Sequence, residues 1–415
     1  MMKYKAFIIL GFLMALSRNG IAQPDYLYEI GVKDSVYSST LGEQRVIWVE
    51  LPETYTPGSQ DRYPVIYVLD GGVHLQAVST VLDYYWGGFL PEMIVVGISN
   101  RMHRTRDLTT SEVHTRHGSE YNQESGGAEK FILFIEKELI PYIEVNYPAT
   151  DYRTLIGHSY AGLFTINMLM HHSNLFDNYL AIDPSLDWDT QKLLAESKEI
   201  LRKENFQGKS LFMSLGGQLH MQKSDINLGN VMEDTSEYTL FARSNLEFSN
   251  AVKESEQNKL NYKWVFYEND LHGTLSLPSI MDGLIFLFNW YPIEQTDRFN
   301  SPDTPKDELV QIIRNREDKL KDHFGYFVPP FEEELLTMLG YMNLDWGKTE
   351  KSLAFFQLAV EYFPRSANVY DSLADYYVSQ DDFANALSNV TLAFELSGDE
   401  YHKNRMEELK ARQKE

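Results

Sequence analysis

Residues 154–162 read Thr154-Leu155-Ile156-Gly157-His158-Ser159-Tyr160-Ala161-Gly162. An apolar run that enters a Gly-x-Ser-x-small turn and then a helix indicates a strand that ends in a nucleophile elbow. Such a turn lifts the serine hydroxyl above the sheet, and the next backbone N–H points towards a developing oxyanion. Ala161 stands where glycine is usual, and because alanine is the smallest residue with a Cβ, we expect helix and strand still to pack closely. The stretch predicts Ser159 as a nucleophile and the N–H of Tyr160 as an oxyanion donor.

Apolar runs on both sides of this turn predict a mainly parallel sheet. Residues 64–69 and 93–98 are nearly continuous apolar runs, which are typical of strands buried on both faces. Residues 45–51 alternate with period two, as a half-buried strand does. Further strand patterns lie at 153–156, 179–182, 210–215 and 262–267, with helical patterns between and after them, for example at 128–145. This alternation predicts a doubly wound α/β domain over residues 23–298.

The chain changes character after residue 298. Residues 299–305 are polar and carry two prolines, which predicts a linker. Beyond it, residues 333–366 and 367–400 are self-similar at a period of 34, with Gly340 matching Ala374. This period is typical of tetratricopeptide repeats, and the alternative is two ordinary helical hairpins with accidental spacing. We therefore expect an all-α, tetratricopeptide-like domain over 306–415, with flanking helices at 306–324 and 401–414 and room for a protein partner.

Residues 1–22 read as a secretory signal peptide. Lys3 and Lys5 precede the apolar run 6–16, and Gly20 and Ala22 put small residues at the −3 and −1 positions of a cleavage site. The apolar run is too short for a spanning helix, and an uncleaved anchor is the alternative. We expect cleavage near Ala22, no membrane span afterwards, and a periplasmic or secreted protein.

Composition removes several classes of function. The formal net charge of −23 argues against a nucleic-acid partner and against anionic membrane surfaces. The chain has no cysteine, which excludes disulfides, thiol catalysis and Cys-ligated zinc. Since the sequence also contains no phosphate-binding glycine motif and no convincing metal-ligand spacing, we expect no cofactor and no metal.

A nucleophilic serine needs a base and an acid that orients the base. The base should follow the last strand, and His272 lies in the Gly-containing loop directly after the strand pattern 262–267. His272 is therefore the predicted base, although a solvated loop histidine is the alternative.

The acid should follow the strand pattern 210–215. Asp234 is the prediction, because it precedes a helical run and Thr235 and Ser236 could fix its carboxylate by local hydrogen bonds. The alternatives in the same segment are Asp225, Glu233 and Glu237. Asp183, directly after the strand pattern 179–182, is a further alternative.

Three further residues complete the predicted site. Gly72 lies in the glycine-rich turn after the strand pattern 64–69, and its backbone N–H is the predicted second oxyanion donor, because glycine lets the backbone approach a substrate carbonyl closely. The alternative is a plain turn with no part in catalysis. Arg106 is expected to hold an anionic group of the substrate, with a structural salt bridge as the equal alternative. Trp188 is expected to line an aromatic pocket, with core packing as its alternative.

Together these motifs resemble the putative esterase family of α/β-hydrolases, which includes enterochelin (siderophore) esterases, feruloyl and acetyl-xylan esterases, S-formylglutathione hydrolases and mycolyl transferases. The motifs are Val68-Leu69-Asp70-Gly71, Arg106-Asp107-Leu108-Thr109, Ser125-Gly126-Gly127-Ala128, the stretch 157–162, Asp183-Pro184-Ser185 and His272-Gly273-Thr274. The resemblance covers about residues 26–292 and implies Ser159 as nucleophile and His272 as base. Relatives with helical repeats after the esterase domain carry an Asp-Thr where Asp234-Thr235 stands.

With the signal-peptide pattern of residues 1–22, the resemblance leads us to expect an exported serine carboxylic ester hydrolase that forms an acyl-enzyme and needs no cofactor. Its expected substrate is a small-molecule or glycan ester: siderophore lactones, feruloyl or acetyl groups on polysaccharides, and small acyl esters all stay open. Two alternatives also stay open. One is acyl transfer to a sugar or lipid by the same residues, and the other is an inactive scaffold whose helical repeats bind a protein partner.

Overall fold

The computed structural model describes residues 30–59, 61–116 and 118–413. The described chain forms two compact units. The first contains the described residues up to Tyr84 together with Glu92–Phe286, and the second contains Tyr85–Pro91 and the described residues from Leu287 onward. The predicted signal peptide lies outside the described residues. Within the described ranges, no helix combines the length and apolar character needed to cross a membrane.

The first unit is built around an eight-stranded sheet. Its strands are β1 (Val32–Ser38), β2 (Glu43–Glu50), β3 (Tyr63–Leu69), β4 (Ile94–Ile98), β7 (Ala149–His158), β8 (Asn178–Ile182), β9 (Ser210–Gly216) and β10 (Asn261–Tyr267), while β5 (Thr115–Arg116) and β6 (Ser119–Glu120) form a separate small hairpin. The order across the sheet is β1-β2-β4-β3-β7-β8-β9-β10. Strands β4 to β10 in that order pair in parallel, and β1 and β2 add an antiparallel edge.

The helices of this unit follow the parallel strands. They are α1 (Gly71–Tyr84), α2 (Arg104–Leu108), α3 (Ala128–Phe134), a π-helical segment (Ile135–Leu139), α4 (Ile140–Asn146), α5 (Tyr160–His171), α6 (Trp188–Lys203), α7 (Leu240–Glu254) and α8 (Ser276–Leu287). Strands β3, β4 and β8 are buried at every residue, as strands covered on both faces are. The predicted doubly wound α/β-hydrolase sheet is thereby confirmed.

The strand order reverses beside β3. The chain passes from β3 to β4 on one side, and β7, β8, β9 and β10 then follow one another on the other side. In open α/β sheets, ligands bind at the carboxyl ends of the strands where the order switches. Asp70 and Ser159 follow the carboxyl ends of the adjacent strands β3 and β7, so this edge is where a site is expected.

Close packing shapes the elbow between β7 and α5. Ser159 has φ 63° and ψ −115°, a conformation that L-residues rarely adopt. A Cβ on Gly157 would lie 2.2 Å from the carbonyl oxygen of Ala161, and one on Gly162 would lie 2.9 Å from Pro184 Cα. Ala161 itself is fully buried and its methyl group is accommodated. Glycine is therefore required at 157 and 162 but not at 161.

The second unit is all-α over its described residues. Its helices are α9 (Thr296–Asn300), α10 (Lys306–Phe324), α11 (Glu333–Asp345), α12 (Thr349–Tyr362), α13 (Ala367–Ser379), α14 (Phe383–Ser397) and α15 (Glu400–Arg412). The predicted linker 299–305 begins inside α9. Its Phe299 ring stacks on Phe331 at 4.9 Å between centroids, and Thr304 is buried. The segment is therefore packed against its own unit rather than extended in solvent.

The elbow packing gives a stability prediction. Gly157→Ala should lower the free energy of unfolding by about 3 kcal/mol, because the added methyl group meets backbone that cannot move aside. Gly273→Ala is the matched control, since nothing lies within 4 Å of a Cβ there, and its effect should stay within about 0.5 kcal/mol. Urea unfolding of the two variants measures the difference. Equal stability of the two would contradict the packing argument.

Candidate active site

Ser159 is held at the carboxyl end of β7 by its own backbone. Its N–H donates to the carbonyl oxygen of Ile182 at 2.9 Å, and its carbonyl oxygen accepts from the N–H of Ser185 at 3.1 Å. Its Oγ lies 3.4 Å from the Oγ of Ser185. Backbone strain of about 1–3 kcal/mol persists only where surrounding contacts enforce it. These bonds tie the elbow to the end of β8, one strand away.

His272 and Asp183 meet at the same edge. Asp183 follows β8 and is 2% exposed, and its Oδ2 lies 2.6 Å from Nδ1 of His272. The other carboxylate oxygen accepts from the N–H of Gly216 at 3.1 Å. Because a carboxylate can only accept here, Nδ1 carries the proton, and Nε2 is the ring nitrogen left as an acceptor. The His272 side chain is 46% exposed, so part of the ring is accessible to solvent.

Asp234 lies elsewhere. Its Oδ1 accepts from the N–H of Ser236 at 2.8 Å and from the hydroxyl of Ser236, and its Oδ2 pairs with Lys223 Nζ at 3.2 Å. Hydrogen bonds from Ser236 hold the pKa of this carboxyl well below its usual range. The local bonds expected from Ser236 are therefore present, but they stabilise a turn. The structure therefore places Asp183, the alternative from the sequence, and not the predicted Asp234, in contact with His272.

Chain order explains that difference. The predicted position for the acid lies after β9, whereas the strand that pairs with β7 on that side is β8. The other candidates, Asp225, Glu233 and Glu237, are exposed. The feature of Asp183 that accounts for its contact with His272 is its place directly after β8, the strand that pairs with β7.

A third polar group joins the elbow to the base. His158 precedes Ser159, and its Nε2 lies 2.8 Å from the carbonyl oxygen of His272. Its ring lies 4.6 Å from that of His272 and 5.6 Å from that of His74, between centroids. Burial and the neighbouring His272 and His74 lower the pKa of His158 to about 3, so it is neutral near pH 7. Sequence reasoning assigned no role to His158.

The predicted oxyanion donors both lie at helix N-termini on this edge. Gly72 is the second residue of α1 and Tyr160 is the first of α5, where backbone N–H groups lack intrahelical acceptors. The turn before α1 is fixed by Asp70, whose φ is 53° and whose carboxylate pairs with Arg104 Nε at 2.9 Å. The same guanidinium donates to the carbonyl oxygen of His158 at 3.1 Å. Arg104 therefore joins the two turns that carry the donors.

The two predicted substrate contacts have hydrogen-bond partners within the fold. Arg106 pairs with Glu43 and Asp107, each at 2.7 Å, and its hydrogen bond lowers the pKa of Glu43 to about 2. Trp188 is 2% exposed, and its Nε1–H donates to the carbonyl oxygen of Ser111 at 3.1 Å. For both residues the structural alternative applies, because their polar atoms are already engaged inside the fold.

Other cations lie closer to the elbow. The guanidinium groups of Arg104 and Arg116 lie 5.3 and 5.2 Å from the centroid of the Tyr160 ring. Arg116 also pairs with Asp187 at 3.2 Å. Arg116 belongs to the small β5–β6 hairpin, and no pattern in the sequence predicts that it lies near Tyr160. Among the described residues, no cluster of three or more His, Asp or Glu is arranged to hold a metal ion.

Comparison with known proteins gives consistent matches. A family model described as "Putative esterase" matches residues 38–263. Ferri-bacillibactin esterase BesA of Bacillus subtilis is 30% identical over 46% of this chain and 71% of that protein. A siderophore enterobactin esterase of Emericella nidulans is 29% identical over 41% of this chain and 60% of that protein. The crystal structure of an IroE-like serine hydrolase from Shewanella oneidensis matches with a TM-score of 0.64 and 28% identity, over 80% of this chain and 99% of that chain.

The Arg106 contacts yield a prediction about stability. Arg106→Ala should lower the free energy of unfolding by about 1–3 kcal/mol, because the buried Asp107 carboxylate then keeps only its bond to Arg45. Arg101→Ala serves as the control, since Arg101 is exposed, and should change stability by less than about 0.5 kcal/mol. Urea unfolding measures both. An Arg106 variant as stable as the control would show that the pairs to Glu43 and Asp107 contribute nothing.

Proposed function

The chain belongs to the Putative esterase family and is a serine ester hydrolase, and we propose that it is an exported siderophore esterase acting through Ser159, His272 and Asp183. The observation that supports this most directly is the 2.6 Å contact between Asp183 Oδ2 and His272 Nδ1 at the edge that carries Ser159. A nucleophile, a base and an acid that orients the base are the parts that acyl transfer requires. The siderophore esterases among its relatives suggest the class of ester.

In the proposed reaction, the Ser159 hydroxyl attacks the ester carbonyl carbon while Nε2 of His272 accepts its proton. Asp183 keeps the proton on Nδ1 and stabilises the imidazolium that forms. The N–H groups of Gly72 and Tyr160 donate to the oxyanion of the tetrahedral intermediate. Collapse of that intermediate expels the alcohol, which takes the proton from His272 and leaves an acyl-enzyme. Nε2 of His272 then takes a proton from a water molecule, whose oxygen attacks the acyl carbon. The bond between that carbon and Ser159 Oγ breaks, Oγ takes the proton back from His272, and the carboxylic acid is released.

Two guanidinium groups beside the elbow support an aromatic, anionic siderophore rather than a neutral glycan ester as the substrate. Those of Arg104 and Arg116 lie 5.3 and 5.2 Å from the centroid of the Tyr160 ring, and that of Arg116 lies 5.0 Å from the centroid of Trp188. Each is also paired with a carboxylate, Asp70 for Arg104 and Asp187 for Arg116, so their support rests on ring stacking and on hydrogen bonds shared with those carboxylates. Siderophores that hold iron through catecholate oxygens are anionic and aromatic. Guanidinium groups attract such oxygens and stack on such rings.

Two further parts of the proposal concern the rest of the chain. Residues 1–22 carry the signal-peptide pattern, and export would bring the enzyme to the compartment where siderophores arrive. The helical domain is proposed to contain tetratricopeptide-like repeats. Two observations support this. The Tyr341 hydroxyl donates to the carboxylate of Asp375, 34 positions later, at 2.7 Å. A Cβ on Gly340 would lie 2.6 Å from the Phe356 ring, so the two helices cross at a place where only a small residue fits.

Ser159→Ala should abolish turnover. We expect kcat for p-nitrophenyl acetate and for a catecholate siderophore lactone to fall about 10⁴-fold or more, because the attacking oxygen is lost. Ser173→Ala, a serine in the loop between α5 and β8, is the control and should behave as wild type. Initial-rate kinetics with chromatography of the siderophore products measure both. Retained turnover in the Ser159 variant would refute the proposed mechanism.

The identity of the acid gives a second test. Asp183→Asn should lower kcat by about 10²–10⁴-fold, since an amide neither holds the required tautomer nor stabilises the imidazolium. Asp234→Asn is the matched control and should keep kcat within about threefold while losing some stability, because it replaces a turn carboxylate. The reverse order of effects would restore Asp234 as the acid.

A further inference from the structure

The histidine before the nucleophile belongs to a row of three imidazoles. His158 lies between His74 and His272, at 5.6 and 4.6 Å between ring centroids. The ring of His74 meets it edge-on at 74°, and that of His272 is tilted by 39°. The proposed reaction uses His272 alone. The rings of His74 and His158 have no role in that reaction.

The protonation of His158 follows from its partner. Its Nε2 lies 2.8 Å from the carbonyl oxygen of His272, and a carbonyl oxygen only accepts, so Nε2 carries the hydrogen. Burial and its histidine neighbours, with Arg104 nearby, lower the pKa of this ring to about 3. His158 therefore stays a neutral ring with a constant N–H donor, and it adds no positive charge beside a base that must itself become positive.

This bond ties the loop of the base to the strand of the nucleophile. The loop after β10 also has a hydrogen bond within itself, from the Leu271 N–H to Thr274 Oγ1 at 3.0 Å. A second bond comes from the end of β9, where the N–H of Gly217 donates to the carbonyl oxygen of Asp270 at 2.7 Å. The His158 donor is a link from this loop to β7. On β7 itself, the backbone of His158 pairs with Ile182 in the sheet and its carbonyl accepts from Arg104.

We propose that His158 is a positioning residue that fixes His272 relative to Ser159 by donating its Nε2–H to the His272 backbone carbonyl. The inference rests on the proposed role of His272 as the base. Asp183 orients the imidazole ring, whereas His158 places the backbone from which that ring projects. A displacement of the order of 1 Å between catalytic groups costs about 10²-fold in rate, so the loss of this donor should appear in kcat.

Two substitutions separate the hydrogen bond from the ring contacts. His158→Gln keeps an amide N–H at nearly the reach of Nε2 but removes the ring. His158→Phe keeps a ring for the contacts with His74 and His272 but removes the donor. His158→Asn, one methylene shorter than Gln, replaces the Phe variant if that variant does not fold. Melting curves establish that each variant is folded before its kinetics are compared.

The readouts are kcat and KM for p-nitrophenyl acetate and the rate at which a fluorophosphonate modifies Ser159. We expect H158Q to retain kcat within about fivefold, and H158F or H158N to lose about 10–100-fold in kcat and in modification rate, with KM within about twofold. An H158F variant as fast as wild type, or equal losses in H158Q and H158F, would overturn the inference.

The probe also separates this inference from the proposed function. Wild-type protein that turns over esters but is not modified at Ser159 would refute the proposed mechanism, whatever the His158 variants do. Wild-type protein that is modified, together with H158F that is modified equally fast, would refute only the role of His158.

Discussion

The contact between Gly157 and the carbonyl group of Ala161 is the constraint on which the rest of the site depends. Only a residue without a Cβ lets the end of β7 approach the first turn of α5 this closely. The approach accompanies φ 63° at Ser159, and it puts the N–H of Tyr160 in the first turn of α5, where intrahelical acceptors are lacking. A relaxed elbow would move the Ser159 hydroxyl and the Tyr160 N–H, the proposed nucleophile and oxyanion donor, together.

The sheet then brings the remaining groups to the elbow. Parallel strands place their carboxyl ends at one edge, so the turns after β3, β8 and β10 converge on Ser159 although they are far apart in the chain. Polar contacts join them: the buried Asp183 reaches His272, and the half-buried Arg104 joins Asp70 to the backbone of His158. The candidate site therefore forms because the sheet brings these turns together, and each turn contributes a side chain or a backbone group to it.

Local patterns in the sequence were enough to predict the groups that depend on local geometry. The elbow at Ser159 and the post-strand position of His272 are visible in single stretches of sequence, and the α/β sheet with a following helical domain is confirmed. The resemblance to the putative esterase family is confirmed as well. These features depend on strand periodicity and glycine placement, which a single sequence records directly.

Pairings between distant stretches could not be predicted in the same way. Asp183 directly follows β8, whereas Asp234 lies well beyond β9, after the short helix Val231–Glu233. The order of strands in the sheet shows that Asp183 is the neighbour of the elbow. Arg106 and Trp188 are residue types suited to a binding pocket, but Glu43, Asp107 and Ser111 already engage their polar atoms. Arg116 approaches Tyr160 from a hairpin that has no sequence signal.

The central claim is that one activated serine at this edge carries the chemistry. Mass spectrometry of the wild-type protein after reaction with a fluorophosphonate, followed by peptide mapping, tests it most directly. We predict a single adduct, located on Ser159, and its loss when His272 is replaced by alanine. An adduct on another residue, or none in a preparation that still hydrolyses esters, would contradict this account.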